Sequence, residues 1–549
     1  MAIYVRRNAW TNGGDFGNAD LLWYAKGVGK MMGRSLDDQT SWWFYAAIHG
    51  EYVSPKNNQT TYPGWGFITA PPNVPSSPLP GSNIRDQYWN QCQHQSWYFL
   101  PWHRGYLLSL EAQLRTEIIS LGGPSSWALP YWNYLGGTGG SQFTIPPAFT
   151  EKTLPNDGGA NPLFVAMRYG PEGNGNIYIP TAAGMVGHQS DPNFIMGEVT
   201  DACLKNDIYT GSDSRTDPPG FGGPETPFWH GGTYLSGNLE ANPHNDVHIY
   251  VGGAIGGAGA LNSGGTGGIM TDPGTAALDP IFYLHHSNID RMWAGWNANG
   301  NSNPTLPDWL NGPATQFVMP TPGGAPWVYT ADQMDSLSKV NYSYDDLPAP
   351  PAAPQALLAQ RLSVLGAMDA AEQVRSGAVP SRLEPRQTEL LGASEGPIRI
   401  QGARSEASVR LDSGVRQRAV ASLTKPSLTA LPDNVYLKLE NVRGTFDACV
   451  LNVYVNLPDN LAPRDGRKFL AGHVALFGLR RASMQDGQHA GGGLSFLLNI
   501  SPIVDESYRE NAFDVGSLRV SVVPSRKLPD QADITVGRIS IFRQGFQGG

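Results

Sequence analysis

The chain is short of cysteine, of charge and of long apolar runs, and each shortage excludes something. Its three cysteines, Cys92, Cys203 and Cys449, are too few and too scattered for a disulfide framework. Charged residues make up only 15% and the formal net charge is −9, so no basic surface points to nucleic acid. No apolar run approaches the ~20 residues that span a bilayer, which argues against a membrane association. After the arginines of MAIYVRRNAWTNGGDFG no apolar segment follows, so no secretion signal is read there. A cytoplasmic location is expected, with export on a carrier protein left open. Glycine (66), proline (44), tryptophan (15) and tyrosine (22) are abundant in the 549 residues. That balance suits a globular chain of more than one domain, rich in tightly turned loops and too aromatic to be disordered.

Helical periods are confined to a few places. SWWFYAAIHGEY carries His49 near the end of one helix. Cys92 and His94 precede a second, from about Pro101 to Leu121, stopped by Gly122-Gly123. Residues 124–235 show little periodicity and read as loops that wall a site. A short helix at about Pro243–Val251 follows. Next comes DPIFYLHHSNIDRMWAGW, where Asp279 can cap a helix and Pro280 can start it. A Pro/Ala linker at 348–356 leads into an arginine-rich, weakly ordered segment with one helix near Leu357–Met368. That segment reads either as a solvated linker or as a zone for proteolytic activation. After Pro432 the period changes to two, in short strands with turns between them, as in an antiparallel sandwich or barrel. The expectation is an α + β multidomain protein, with 1–345 as a mainly α domain, 346–425 as linker and 426–549 as a β domain.

The histidines carry the chemistry. His244 and His248 stand at i and i+4, on one helical face. His285 and His286 are adjacent on another helix, where neighbours point ~100° apart, so only one of them can join that pair. His49, His94 and His103 form a parallel upstream set. A lone buried histidine is usually a hydrogen-bonded core residue, but so many at these spacings favour a metal centre. The donors are all imidazole, without the Glu and Glu-x-x-His sets of di-iron bundles. Zinc hydrolases want a water-activating carboxylate and usually one metal, so two trios of imidazoles suit a pair of coppers.

Four motifs, Cys92-x-His94, His94-x8-His103 within FLPWHR, Glu240-x3-His244-Asn245-x2-His248 and DPIFYLHHSNIDRMW, resemble the tyrosinase and polyphenol oxidase family of type-3 copper proteins. The likeness spans about 1–345, and 430–549 is similar to the smaller C-terminal domain of long polyphenol oxidases. The resemblance implies a central four-helix bundle holding two copper ions, with O2 as co-substrate and phenolic small molecules as substrates. His49, His94 and His103 would hold the first copper, and His244, His248 and His286 the second, leaving His285 as a buried hydrogen-bonding residue. Cys92 would form a thioether to His94. Glu240 and Asn245 would be catalytic, holding a water that takes the phenol proton. Phe282, Ile249 and Pro273 would contact substrate, Pro273 at a gate position. The C-terminal domain would act as a lid that keeps a tyrosinase latent. A catechol oxidase limited to o-diphenols and a haemocyanin-like oxygen carrier are the alternatives, and a homo-oligomer is compatible with all three.

Overall fold

The computed structural model describes residues 4–50, 65, 68, 72–89, 91–155, 158–170, 180–181, 184–185, 199–211, 217–227, 235–254, 267–312, 317–348, 354–378, 387–485, 490–510, 516–525, 527–529 and 532–545. Its helical part contains α1 (Ala19–Met32), α2 (Trp42–Gly50), α3 (Ser82–Tyr88), α4 (Phe99–Ser120), α5 (Asp246–Gly252), α6 (Pro280–Ala298), α7 (Pro307–Asn311) and α8 (Ala331–Met334). α2 and α6 are buried on nearly every side, so they form the centre of the fold and are not surface helices. The α6 start is as the sequence reads: the Asp279 carboxylate accepts from the Ile281 N–H at 3.0 Å, and Pro280 opens the helix. Arg168 holds the same carboxylate at 2.7 Å. β1 (Tyr4–Arg6) pairs in parallel with β6 (Tyr342–Tyr344), joining the two ends of this part. β2 (Pro180–Thr181) with β3 (Gly184–Met185), and β4 (Val318–Pro320) with β5 (Pro326–Val328), are small antiparallel ladders.

A buried charged network fixes how α4 and α6 face each other. Arg104 Nε donates to Asp290 Oδ1 at 2.6 Å, and Arg6 reaches Glu111 at 2.6 Å and Asp290 at 3.3 Å. The Tyr342 and Tyr344 hydroxyls also donate to Asp290. Asp290 lies one turn beyond His286, and Arg104 follows His103. The network therefore sets the rotation of both helices where their histidines meet.

The C-terminal part is an antiparallel sheet of nine strands, rolled until its end strands nearly meet. Its strands are β7 (Gln387–Ser394), β8 (Ile398–Arg399), β9 (Ser405–Leu411), β10 (Asn434–Arg443), β11 (Val450–Val455), β12 (Leu470–Ala475), β13 (Leu494–Asn499), β14 (Ser517–Pro524) and β15 (Thr535–Gly545). The order is β12-β11-β14-β9-β7-β15-β10-β13, with β8 beside β15. A Cβ on Gly472 of β12 would stand 3.0 Å from Leu498 of β13, the near-closure that removes exposed sheet edges. Leu437, Leu439, Val453, Val520 and Ile541 fill the interior.

The expected linker differs from the structure. Residues 387–424 carry β7, β8, β9 and α11 (Ser413–Thr424), so the sheet begins well before residue 426. In β9, Ala407, Val409 and Leu411 are buried and alternate with exposed Glu406, Ser408 and Arg410. With only Ala407, Val409 and Leu411 inward among polar and charged neighbours, the strand's period of two was lost in a polar, arginine-rich stretch. The single helix expected upstream is two, α9 (Pro354–Val364) and α10 (Met368–Arg375). Arg361 of α9 pins this hairpin to the β part by forking onto Asp505 of α13 (Ser501–Arg509) at 2.7 Å. No helix among the described residues is long and apolar enough to cross a membrane.

Candidate metal centre

Two groups of side chains converge. His49, Cys92, His94 and His103 form one, and His244, His248, His285 and His286 the other; within each, one donor atom per residue lies within 4.8 Å of all the rest. His49 ends α2, His94 sits in the loop after Cys92, and His103 lies in the first turns of α4. His244 lies in an irregular turn, Glu240–Asn245, that runs into α5 and carries His248 one turn on. The i, i+4 pair therefore shares one face, with ring centroids 4.6 Å apart, although only His248 stands in regular helix.

The backbone fixes the tautomers. His49 Nδ1 donates to the Pro273 carbonyl at 3.0 Å, His103 Nδ1 to Phe99 at 2.7 Å and His248 Nδ1 to Met270 at 2.9 Å. His244 Nδ1 donates to Asn245 Oδ1 at 2.9 Å. Each Nε2 is then left with its lone pair facing inward. The Nε2 atoms of His49 and His248 are buried with no hydrogen-bond partner among the described residues. A buried nitrogen lone pair without a donor is costly unless something binds it. Burial also holds the rings neutral, pushing His49 and His244 down to about 3 and His248 and His286 well below the ordinary histidine range. Neutral imidazole is the ligand form, so the donor set fits metal ions that prefer nitrogen.

The two groups share one space. The His103 and His286 rings stack at 4.6 Å and 15°, and His94 stands 5.9 Å from His244. His286 Nε2 lies 3.2 Å from His244 Nε2, so both aim at one point. His285 is placed otherwise. It stacks on the other side of His244 at 5.3 Å, next to Tyr134, and neither ring nitrogen has a hydrogen-bond partner among the described residues. It lies against the His244 backbone carbonyl, buried away from the point at which His244 and His286 aim.

The remaining expected residues fall around these groups. Phe282 packs against His49 at 4.6 Å, His248 at 5.7 Å and His286 at 4.1 Å, so it touches both groups. Ile249 is buried on α5. Pro273 backs His49 through its carbonyl. Cys92 Sγ lies 3.6 Å from His94 Nδ1 and 3.5 Å from His103 Nε2. Both Glu240 carboxylate oxygens accept from the Gln95 N–H at 2.9 Å, a link the sequence does not reveal. Gln95 has a positive φ of 52° and follows His94, so Glu240 fastens the His94 loop to the segment holding the second group. Burial pushes the Glu240 carboxyl up to about 8, against the Gln95 and Gly237 N–H groups and Ser236.

Sequence reasoning expected a lid from the C-terminal domain but named no residue of it that reaches the site. Phe477, in the turn after β12, stacks on His248 at 4.2 Å and 20°, and stands edge-on to His244 and His94 at 5.8 and 6.1 Å. Three residues on, Arg480 and Arg481 of α12 (Leu479–Ser483) both grip Asp272, which is buried on the helical side. His473 Nε2 lies 3.2 Å from Asp246 Oδ2 and 2.9 Å from Asn242 Nδ2. In the sequence Phe477 is one more apolar residue beside a strand, and no periodicity sets it apart from the barrel core.

Comparison with known proteins agrees with this geometry. Residues 39–299 match the model of the common central domain of tyrosinase, and 387–544 match a domain of unknown function, DUF7868. The chain is 30% identical over 534 residues to tyrosinase HcTyr1 of Hahella sp. (strain CCB-MM4), covering 95% of this chain and 97% of that one. It is 31% identical over 261 residues to chloroplastic catechol oxidase B of Solanum tuberosum, covering 47% of this chain and 39% of that one. The fold is shared with latent apple tyrosinase (TM-score 0.53, 19% identity, 99% and 97% covered) and with a latent aurone synthase (TM-score 0.55, 18% identity, 100% and 90% covered).

Proposed function

The chain belongs to the tyrosinase and polyphenol oxidase family of oxidoreductases, and on that premise we propose that it is a latent tyrosinase. It would hydroxylate monophenols at the ortho position and oxidise o-diphenols to o-quinones, using O2. The observation that carries this is the pair of converging groups of neutral imidazoles, whose inward Nε2 atoms suit two copper ions. His49, His94 and His103 would hold the first and His244, His248 and His286 the second. His286, aimed at the same point as His244 and stacked on His103, is the choice over His285. The copper pair supplies the redox chemistry with O2.

The rest falls to the protein. A phenol has a pKa of about 10 and must lose its proton before its oxygen can act as a ligand. Asn245 borders a cavity of about 70 Å³, also lined by Ser236, Asn242 and His473, with room for a water. A water held by Asn245 would take the phenol proton, aided by the nearby Glu240 carboxyl, which burial pushes up to about 8 and which does not itself line that cavity. Cys92 lies close enough to His94 to form the thioether; the S–H and a ring C–H would give way to a C–S bond, with two electrons passing to O2. That bond would restrain a ligand carried on a loop. Phe477 covers the face of His248 where an aromatic substrate ring would lie, which supports latency.

The test is copper content together with turnover of 4-methylphenol and 4-methylcatechol, before and after cleavage between the two parts. Two coppers per chain and oxidation of both substrates after cleavage are expected. Oxidation of the catechol alone would leave a catechol oxidase, as named for the potato relative. Reversible O2 binding without turnover would leave a carrier.

A further inference from the structure

The segment that closes the site has the outline of a substrate. Phe477 presents an aromatic ring to His248, and from the same turn Arg480 and Arg481 deliver two guanidinium groups to Asp272. Asp272 is buried, and although burial opposes its charge, the two guanidiniums outweigh this and hold its carboxyl well below the ordinary range. It belongs to the strap that backs both groups. The Met270 carbonyl holds His248, the Pro273 carbonyl holds His49, and Pro273 packs against Gly478, with a Cβ there only 3.3 Å away. Asp272 follows Met270 by two residues, and Met270 holds the ring on which Phe477 stacks; Arg480 and Arg481, three and four residues after Phe477, reach Asp272 from the same turn.

Displacing the β part removes Arg480, Arg481, His473 and Asp447 together. On the helical side this leaves Asp272 and Asp246 as uncompensated carboxylates at the opening. A carboxylate that has lost two charged partners in a half-enclosed site is a strong receptor for a cation. We propose that Asp272, freed of Arg480 and Arg481, receives the ammonium group of phenols carrying a short alkylammonium side chain, so that the opened enzyme selects cationic over anionic phenols. This rests on the tyrosinase reading and names the substrate class for it. The phenol ring takes the place of the Phe477 ring, and the ammonium group takes the place of the guanidiniums.

The experiment uses the full-length, copper-loaded protein opened by limited tryptic cleavage. Turnover of tyramine and of 3-(4-hydroxyphenyl)propionate is measured, each scaled to neutral 4-methylphenol in the same preparation. Tyramine is expected to lead by about tenfold in kcat/KM, falling towards parity in Asp272→Asn. In the unmutated protein the lead should also shrink as ionic strength rises from about 0.01 M to about 1 M, a readout that needs no variant to fold. Calorimetry with 2-phenylethylamine and 3-phenylpropionate, which have no phenol to oxidise, should give the same order. Equal binding and equal turnover of the two charge types, with 4-methylphenol still oxidised, would overturn the proposal and leave the tyrosinase reading standing. Failure to oxidise 4-methylphenol would sink the tyrosinase reading, while the calorimetry would still decide on Asp272.

Discussion

The two histidine groups and the contact between the helical and β parts lie within a few ångströms of each other, yet they are held by opposite means. Inside the groups, His49, His103, His244 and His248 each tie Nδ1 to a backbone carbonyl or to Asn245 Oδ1, and burial keeps His49, His244, His248, His285 and His286 uncharged. Between the parts the ties are charged or exchangeable: Asp272 with two arginines, Asp246 with His473, and Asp217 with Thr388 and Gln544. Carbonyl-tied rings do not respond to moderate salt or pH. Ion pairs at an interface respond to both. Salt and pH therefore act on the contact between the two parts before they act on the rings.

The largest effect is expected from the donors themselves. Replacing His244 or His103 with alanine should halve the copper content, read by metal analysis. It should lower turnover of the opened enzyme by about 100-fold or more, since even outer partners of metal ligands are worth 10–100-fold. An activity loss with two coppers retained would show that these rings do not bind metal.

Next comes the network that sets the helices carrying the donors. Asp290→Ala leaves Arg6 and Arg104 buried without their shared carboxylate, which costs about 3–5 kcal/mol. Thermal unfolding should show it as a large fall in Tm. A change within about 0.5 kcal/mol would mean that the network does not fix α4 against α6.

Phe477→Ala tests the cover. In the uncut chain it should raise phenol turnover while lowering stability by about 3 kcal/mol, the usual cost of a buried phenylalanine truncation. Lower stability with unchanged turnover would mean that Phe477 is packing and not a plug.

The smallest effect is the pH dependence of the contact. Burial and the nearby Asp272 push the Asp447 carboxyl up to about 7. Its folded pKa lies above its unfolded one, so this group's effect on stability turns unfavourable as pH rises from about 4 to 7. Asp272 has the opposite sign: depressed in the folded state, it supports the contact above about pH 4 and loses that support only in stronger acid. The uncut chain should therefore be most latent near pH 5, with basal turnover creeping up by pH 8, and Asp447→Asn should flatten that rise. A flat profile in the unmutated chain would remove Asp447 from the account.

Much of the helical part was legible because helices advertise themselves locally. The Asp279-Pro280 start, the Gly122 stop and the spacing of His244 and His248 are all short-range signals. The β part was legible only where outward residues were plain. In β9 three inward apolar residues among polar and charged neighbours masked the alternation, and the boundary moved by about 40 residues from the expected one. The link from Glu240 to the Gln95 N–H was invisible because it joins residues 145 apart through one buried backbone group.

By itself the sequence determined which side chains could hold metal and on which faces they stand, because donor chemistry and helical period are properties of neighbouring residues. Only the tertiary structure decided that Phe477 lies on His248 and that Arg480 and Arg481 close on Asp272. Those outcomes depend on where distant segments pack against one another, and no local pattern records that.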